Sequence, residues 1–374
     1  MKMVGKVVLA LLLATPLAAC GTSTGDAGTS EISLGMPVPL TGDSAAIGPY
    51  MRNGAQMAID EINEKGGVLG RKLKLVVEDD GCDPQTATAA ANKLVSQKVV
   101  ASVGGYCSGA TLPTLPVFDR AKIPVVIPAA NSDQLVEKKL PFVFLVNSTG
   151  TQQSTTAVDF VTKQNLTRTV LVHDNTSYAK NIAELTVTML KDRAAGSIAI
   201  AKGESDHGAA VNAVRGKNPD MVYFTGYYAD GGLFIRQLRQ AGYTGKIMVA
   251  DGSVDKQLIT IAGADKAQGV YATMTGLPEF TPGAEGWIAK YKSKFNGDPG
   301  PYSTQSYDAV RLVADAITRA GSTDGQKVRD ALESTDGFAM FSGPLKFTPQ
   351  HTLATSGFVI LEVKGDKFEM VRPS

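Results

Sequence analysis

The sequence predicts an α/β protein made of two doubly wound parallel-sheet lobes, with the chain crossing between them three times. Three features support that fold. Short apolar β-rich runs alternate with segments of helical period along most of the chain. Each β-run is nearly continuous in apolar character rather than alternating, as expected of strands covered by helices on both faces. The roughly 345 residues that follow the N-terminal segment exceed what one hydrophobic core usually serves, which argues for two lobes of about 150 residues each.

Residues 32–40 read as the first strand and 47–65 as a helix with Met51, Ala55, Ala58, Ile59 and Ile62 on one face, stopped by Gly66-Gly67. Strand 72–78 leads to helix 84–97, strand 99–104 to helix 109–121, and strand 124–128 to a short helix from Ser132. A second series opens near Gly150. It has a helix at 152–164, then strands at 169–173, 197–201, 221–225, 246–250 and 269–273, separated by helices at 179–193, 207–215, 231–241 and, between the last two strands, 256–262. After Gly276 come helices at 284–295, 303–320 and 324–334, then strand-like runs at 343–347 and 357–363. These late elements have no sheet of their own, so the economical arrangement returns the helices to lobe one and the final strands to lobe two. Lobe one is then 31–150 with 276–340, and lobe two is 151–275 with 341–374. No internal repeat competes with this organisation.

The N-terminal segment is a lipoprotein leader in outline. Lys2 and Lys6 precede an apolar stretch at 7–13 that is too short to span a bilayer, and Leu17-Ala18-Ala19-Cys20 places small residues directly ahead of a cysteine. Residues 1–19 are expected to be removed and Cys20 to carry the lipid, with further acylation of its amine supplying the additional chain that stable anchoring requires. A removed leader with an unmodified Cys20 is the alternative. Residues 20–30 continue as GTSTGDAGTS after the cysteine, the composition of a flexible tether.

Charge excludes some functions. The chain has 37 Lys and Arg against 36 Asp and Glu, and loss of Lys2 and Lys6 with the leader would move the net charge from +1 to about −1. There is no basic stripe with interleaved aromatics for nucleic acid, and no second long apolar run. Beyond Cys20, Cys82 and Cys107 form an even pair in an oxidising compartment and are expected to be disulfide-bonded, with two free thiols as the alternative. Enzyme motifs are poor. Residues 21–25 match G-x-S-x-G but lie in the tether with no strand before them, and G-x-G-x-x-G, Walker A and H-E-x-x-H patterns are absent from the sequence. Asp79-Asp80 ends a strand, where a turn role is the ordinary one. No cofactor, metal or catalytic residue is expected.

The segments MPVPLTGDSAAIG, INEKGGVLGRKLKLVVEDDGCDP, GGYCSGATLP, IPAANSDQL, VHDNTSYAKN, VYFTGYYADGG and FSGPLKF resemble the leucine/isoleucine/valine-binding proteins, type I periplasmic solute-binding proteins of ABC importers. The resemblance runs in order through nearly the whole mature chain. It implies two lobes joined by a three-stranded hinge, a disulfide on Cys82 and Cys107, an amino-acid ligand and ABC permease partners. A monomeric receptor is expected. By the same resemblance Ser108 donates to the ligand carboxylate, Ala129, Ala130 and Asn131 form the loop after the next strand, and Asp251 accepts from the ammonium. Tyr178, Tyr227 and Tyr302 line the cleft. The chain departs from the family pattern at Ile47, where a tyrosine is common, at Asn131, where threonine is common, and at Asp251, one methylene shorter than glutamate. A receptor or sensor for an amide, urea or aromatic acid on the same fold is the runner-up reading, and a secreted hydrolase the more distant one.

Substituting Cys20→Ala should release the protein into the soluble fraction with ligand affinity unchanged. Fractionation followed by titration checks this, and persistent membrane association of the variant contradicts the anchor.

Overall fold

The computed structural model describes Met1 and residues 31–371, so the leader, Cys20 and the tether lie outside the described residues. Five strands form the first sheet: β1 (Ile32–Val38), β2 (Leu73–Asp79), β3 (Ala101–Ser102), β4 (Val125–Ile127) and β5 (Val143–Leu145), in the parallel order β2-β1-β3-β4-β5. The register runs from Ile32 opposite Leu73 to Val38 opposite Asp79, and Leu34 faces Ala101 across the other edge of β1. A central strand covered on both faces must be apolar throughout, and Leu34, Met36 and Val38 are fully buried.

The second sheet begins with β6 (Thr169–His173), β7 (Ala194–Ala199), β8 (Met221–Phe224), β9 (Lys246–Val249) and β10 (Tyr271–Thr275). Its parallel part runs β10-β9-β8-β6-β7, which repeats the order of the first sheet strand for strand. After β11 (Asp336–Met340) and β12 (Gly343–Lys346), the strands β13 (Phe358–Lys364) and β14 (Lys367–Met370) extend that sheet antiparallel beyond β10.

Local chemistry sets the helix starts. Asp83 accepts from the backbone N–H groups of Gln85 and Thr86 to open Pro84–Ser96. Thr149 and Gln152 form a capping box that opens Gly150–Lys163. Helix Ser303–Ala320 packs along helix Ile47–Glu64. That packing needs a glycine, because a Cβ on Gly54 would stand 2.0 Å from the Ser303 carbonyl oxygen. Among the described residues no helix is long and apolar enough to cross a membrane.

Several elements differ from the sequence expectation. The run at 343–347, expected in the second lobe, pairs instead with β11 as a separate two-stranded ribbon. The segment after it stays beside β5: Leu145 N–H donates to the His351 carbonyl (2.9 Å), and the His351 ring stacks on Phe144 at 4.2 Å. Strands β5, β11 and β14 had no counterpart in the reading, since each is a run of three to five residues next to turns. Strand β3 shrinks to two residues. The helix expected at 109–121 is divided into Ser108–Thr111, a 3-10 turn at Leu112–Thr114 and Leu115–Arg120, with Pro113 and Pro116 at the junctions.

Cys82 and Cys107 are disulfide-bonded, with Cα atoms 5.4 Å apart. They follow β2 and β3, which lie on either side of β1 rather than beside each other, so the bridge passes over the end of the central strand. Closing a loop across a sequence separation of 25 stabilises the fold by about 3–4 kcal/mol. The native protein should therefore show no reactive thiol at either position, and reduction should lower its Tm by roughly 5 °C. Quantitative alkylation of both cysteines without reductant would contradict the bridge.

Beside the bridge, Asp80 is buried. It accepts from Cys82 N–H (2.9 Å) and lines a small cavity with Ser102, whose buried hydroxyl has no protein partner. Burial pushes the Asp80 carboxyl up to about 7. In the unfolded chain it ionises near 4, so its ionisation costs folding stability as pH rises from about 4 to 7, on the order of 4 kcal/mol in full. Asp80→Asn keeps the acceptor and removes the ionisation. Its melting temperature should match the parent near pH 4 and exceed it at pH 8, and equal values at pH 8 would show that Asp80 ionises freely in the fold.

Candidate functional site

In sheets of this order, ligands bind beyond the carboxyl ends of the strands, at the point where the winding reverses. That point lies between β1 and β3 in one lobe and between β6 and β8 in the other. The loops beyond it converge. Ser108 follows β3 and Asn131 follows β4, while Tyr178 follows β6, Tyr227 follows β8 and Asp251 follows β9.

Asp251 is the centre of the junction. Its side chain is buried, and Tyr178 Oη donates to Oδ1 at 2.5 Å, Gln153 Nε2 to Oδ1 at 2.9 Å, Tyr302 Oη to Oδ2 at 2.7 Å and Asn131 Nδ2 to Oδ2 at 3.4 Å. Burial pushes the Asp251 carboxyl up, opposed by the hydrogen bonds from Tyr178, Tyr302 and Gln153. All four partners are neutral. Burial, with the nearby Asp251 charge, raises the phenols of Tyr178 and Tyr302 well above their ordinary range, so both stay protonated and serve as donors.

The aromatic wall is continuous. The Tyr106 ring lies 5.7 Å from Tyr227 and 5.6 Å from Tyr302, and Tyr227 lies 5.0 Å from Tyr178. Tyr106 also donates across the lobes to the Gly252 carbonyl at 3.2 Å, and Gly252 N–H donates to Tyr178 Oη at 2.8 Å. Residue 252 must be glycine for this approach: a Cβ there would sit 2.9 Å from the Tyr178 ring and 3.0 Å from that of Tyr227. Tyr302 holds a left-handed backbone (φ 63°) at the start of its helix, which turns its ring toward Asp251 rather than along the helix.

The remaining expected residues are placed as follows. Ser108 is buried, its Oγ accepts from Ser132 N–H at 3.3 Å, and its backbone hydrogen-bonds the Tyr227 hydroxyl. The Ala129 carbonyl accepts from Asn147 Nδ2 (2.6 Å), and Ala130 N–H donates to the Gly105 carbonyl (3.0 Å). Ile47 is buried in the core at the start of its helix, outside the polar network. Asn131 Nδ2 also donates to Gln153 Oε1 at 2.8 Å. The structure thus brings Ser108, Asn131, Tyr178, Tyr227, Asp251 and Tyr302 to one junction.

Sequence reasoning missed Tyr106 and Gln153. Tyr106 lies inside the GGYCSG segment that drew notice only for its cysteine and serine. Gln153 follows the capping residue Gln152, where a polar side chain looks like an ordinary first-turn residue. Among the described residues no group of three or more His, Cys, Asp or Glu is placed to hold a metal ion.

Two lobes with matching strand order and a buried carboxylate between them define a two-lobed solute-binding architecture. The periplasmic binding protein family pattern matches residues 31–367, and the chain belongs to that family. An amino acid binding protein of Pseudomonas aeruginosa is 31% identical, over 89% of this chain and 90% of its own length. The leucine-, isoleucine-, valine-, threonine-, and alanine-binding protein of the same organism is 30% identical, over 92% of this chain and 93% of its own. The isoleucine complex of LivJ, a branched-chain amino acid transporter substrate binding protein from Streptococcus pneumoniae, superposes with a TM-score of 0.84 at 29% identity, covering 92% of this chain and all (100%) of that one.

Proposed function

We propose that this protein is a lipid-anchored receptor on the extracytoplasmic side of the membrane that captures a branched-chain amino acid between its lobes and delivers it to an ABC importer. The observation that carries the reading is the buried Asp251 carboxylate, contacted from both lobes by neutral donors alone. A carboxylate removed from water among neutral partners gains most from a cation, and the ammonium of a zwitterion supplies one. Ser108 Oγ accepts from Ser132, which leaves its own proton for the ligand carboxylate. The tyrosine wall suits an apolar side chain. The names of the relatives support the same ligand class.

Capture follows from the placement of these groups. Asp251 and Tyr178 belong to one lobe and Ser108, Asn131 and Tyr302 to the other, so a ligand that touches both sets favours the closed arrangement. Closure excludes water and strengthens each charge-assisted bond. Three crossings carry the motion, and they are tied to one another: Gly357 N–H donates to Ser148 Oγ (2.8 Å), and Thr275 pairs with Phe358 at the ends of β10 and β13. The permease would read the closed state, with no chemistry done on the ligand.

Asp251→Asn keeps the shape and removes the charge, so it should cost about 2–5 kcal/mol of binding, roughly 30-fold to several thousand-fold in affinity. Ser108→Ala should cost less, about 1–3 kcal/mol. Calorimetric titration with leucine, isoleucine and valine measures both. An Asp251→Asn protein that binds as tightly as the parent, or a parent that prefers amides or ureas to every amino acid, overturns the zwitterion site.

A further inference from the structure

Gln153 is fully buried on the first helix of the second lobe, and each end of its amide is committed. Nε2 donates to Asp251 Oδ1 and to Thr273 Oγ1, both at 2.9 Å, and Oε1 accepts from Asn131 Nδ2 at 2.8 Å. The orientation follows from Asp251. Its carboxylate already receives Tyr178 and Tyr302 and has only acceptors to offer, so the Gln153 nitrogen must face it and the Gln153 oxygen must face Asn131. Asn131 then has to present its nitrogen to Gln153 and Asp251. Its Oδ1 is left as a buried acceptor with no protein partner, on the same amide whose nitrogen reaches Asp251 Oδ2. The extra capacity that asparagine brings to this position is therefore an acceptor.

We propose that Gln153 is a positioning residue that locks Asn131 with Oδ1 as a fixed acceptor, so that the site demands a second N–H from its ligand and selects ligand nitrogens that carry at least two N–H groups over those with only one and over acids without nitrogen. This rests on the amino-acid reading of the site and deepens it. A ligand that cannot supply the N–H leaves a buried carbonyl unpaired, which lowers affinity roughly 10- to 100-fold. Threonine at this position would adapt, because a hydroxyl rotates to donate or accept. The locked amide cannot.

The test is calorimetric titration of the full chain with leucine, N,N-dimethyl-leucine, 4-methylpentanoate, propionamide and N-methylpropionamide. The parent should bind leucine at least 10-fold more tightly than N,N-dimethyl-leucine, whose ammonium keeps a single N–H. Asn131→Leu and Gln153→Met should each reduce that ratio to about 3-fold or less, and the double variant should do no more than either alone, because the two residues act as one unit. Gln153→Glu keeps an acceptor opposite Asn131 Nδ2 and should retain the ratio while binding more weakly overall, which keeps the test decisive if Gln153→Met fails to melt cooperatively. A Gln153→Met protein with the parent ratio, additive single effects, or a Gln153→Glu protein that loses the ratio overturns the assignment. If the parent binds propionamide and no amino acid, the amino-acid reading falls, and the Gln153 assignment then stands or falls on whether the propionamide to N-methylpropionamide ratio collapses in Gln153→Met. Preference for 4-methylpentanoate over leucine removes both.

Discussion

A carboxylate withdrawn from water between two lobes constrains most of the architecture around it. Asp251 is held by Tyr178 and Gln153 on one oxygen and by Tyr302 and Asn131 on the other, and these donors come from loops and helix starts in both halves of the chain. Each donor must be held at its own distance, because an unsatisfied charge in this environment costs several kcal/mol. The left-handed backbone at Tyr302 and the glycine at 252 are local concessions to that requirement. The Thr149–Gln152 capping box is another contribution: by fixing where the helix begins, it fixes where Gln153 points.

The two lobes meet this constraint by the same construction. Each parallel sheet has the order second, first, third, fourth, fifth, and each sends residues of the junction from the loops after its third and fourth strands. Ser108 and Tyr227 are thus counterparts, as are Asn131 and Asp251. The lobes differ in what they present there, amide and hydroxyl on one side and carboxylate on the other, a division suited to a ligand that carries both signs of charge. Around the first of these loops the disulfide ties the turn that leads to Ser108 to the turn after β2, where the buried Asp80 accepts from Cys82 N–H.

What the sequence by itself determined is the local part. Continuous apolar runs marked most of the parallel strands, and strand 169–173 and helices 256–262 and 303–320 were placed to the residue, since an apolar run, a cap and a stop are all short-range signals. Ser108 and Asp251 were legible as polar residues just past strand ends, with the family resemblance supplying their roles. The tertiary structure decided everything that depends on distant partners. It put β1 between the two strands that precede the cysteines, paired Asp336–Met340 with Gly343–Lys346 instead of lending the latter to the second sheet, and revealed the matching strand order that no sequence repeat betrays. It also joined Gln153 to Asp251 across 98 positions and Tyr106 to Gly252 across 146. The physical reason is that hydrogen-bond satisfaction in a closed interface is a property of packing. A glutamine after a helix cap carries the same local pattern whether it faces water or a buried carboxylate, and only the folded chain distinguishes them.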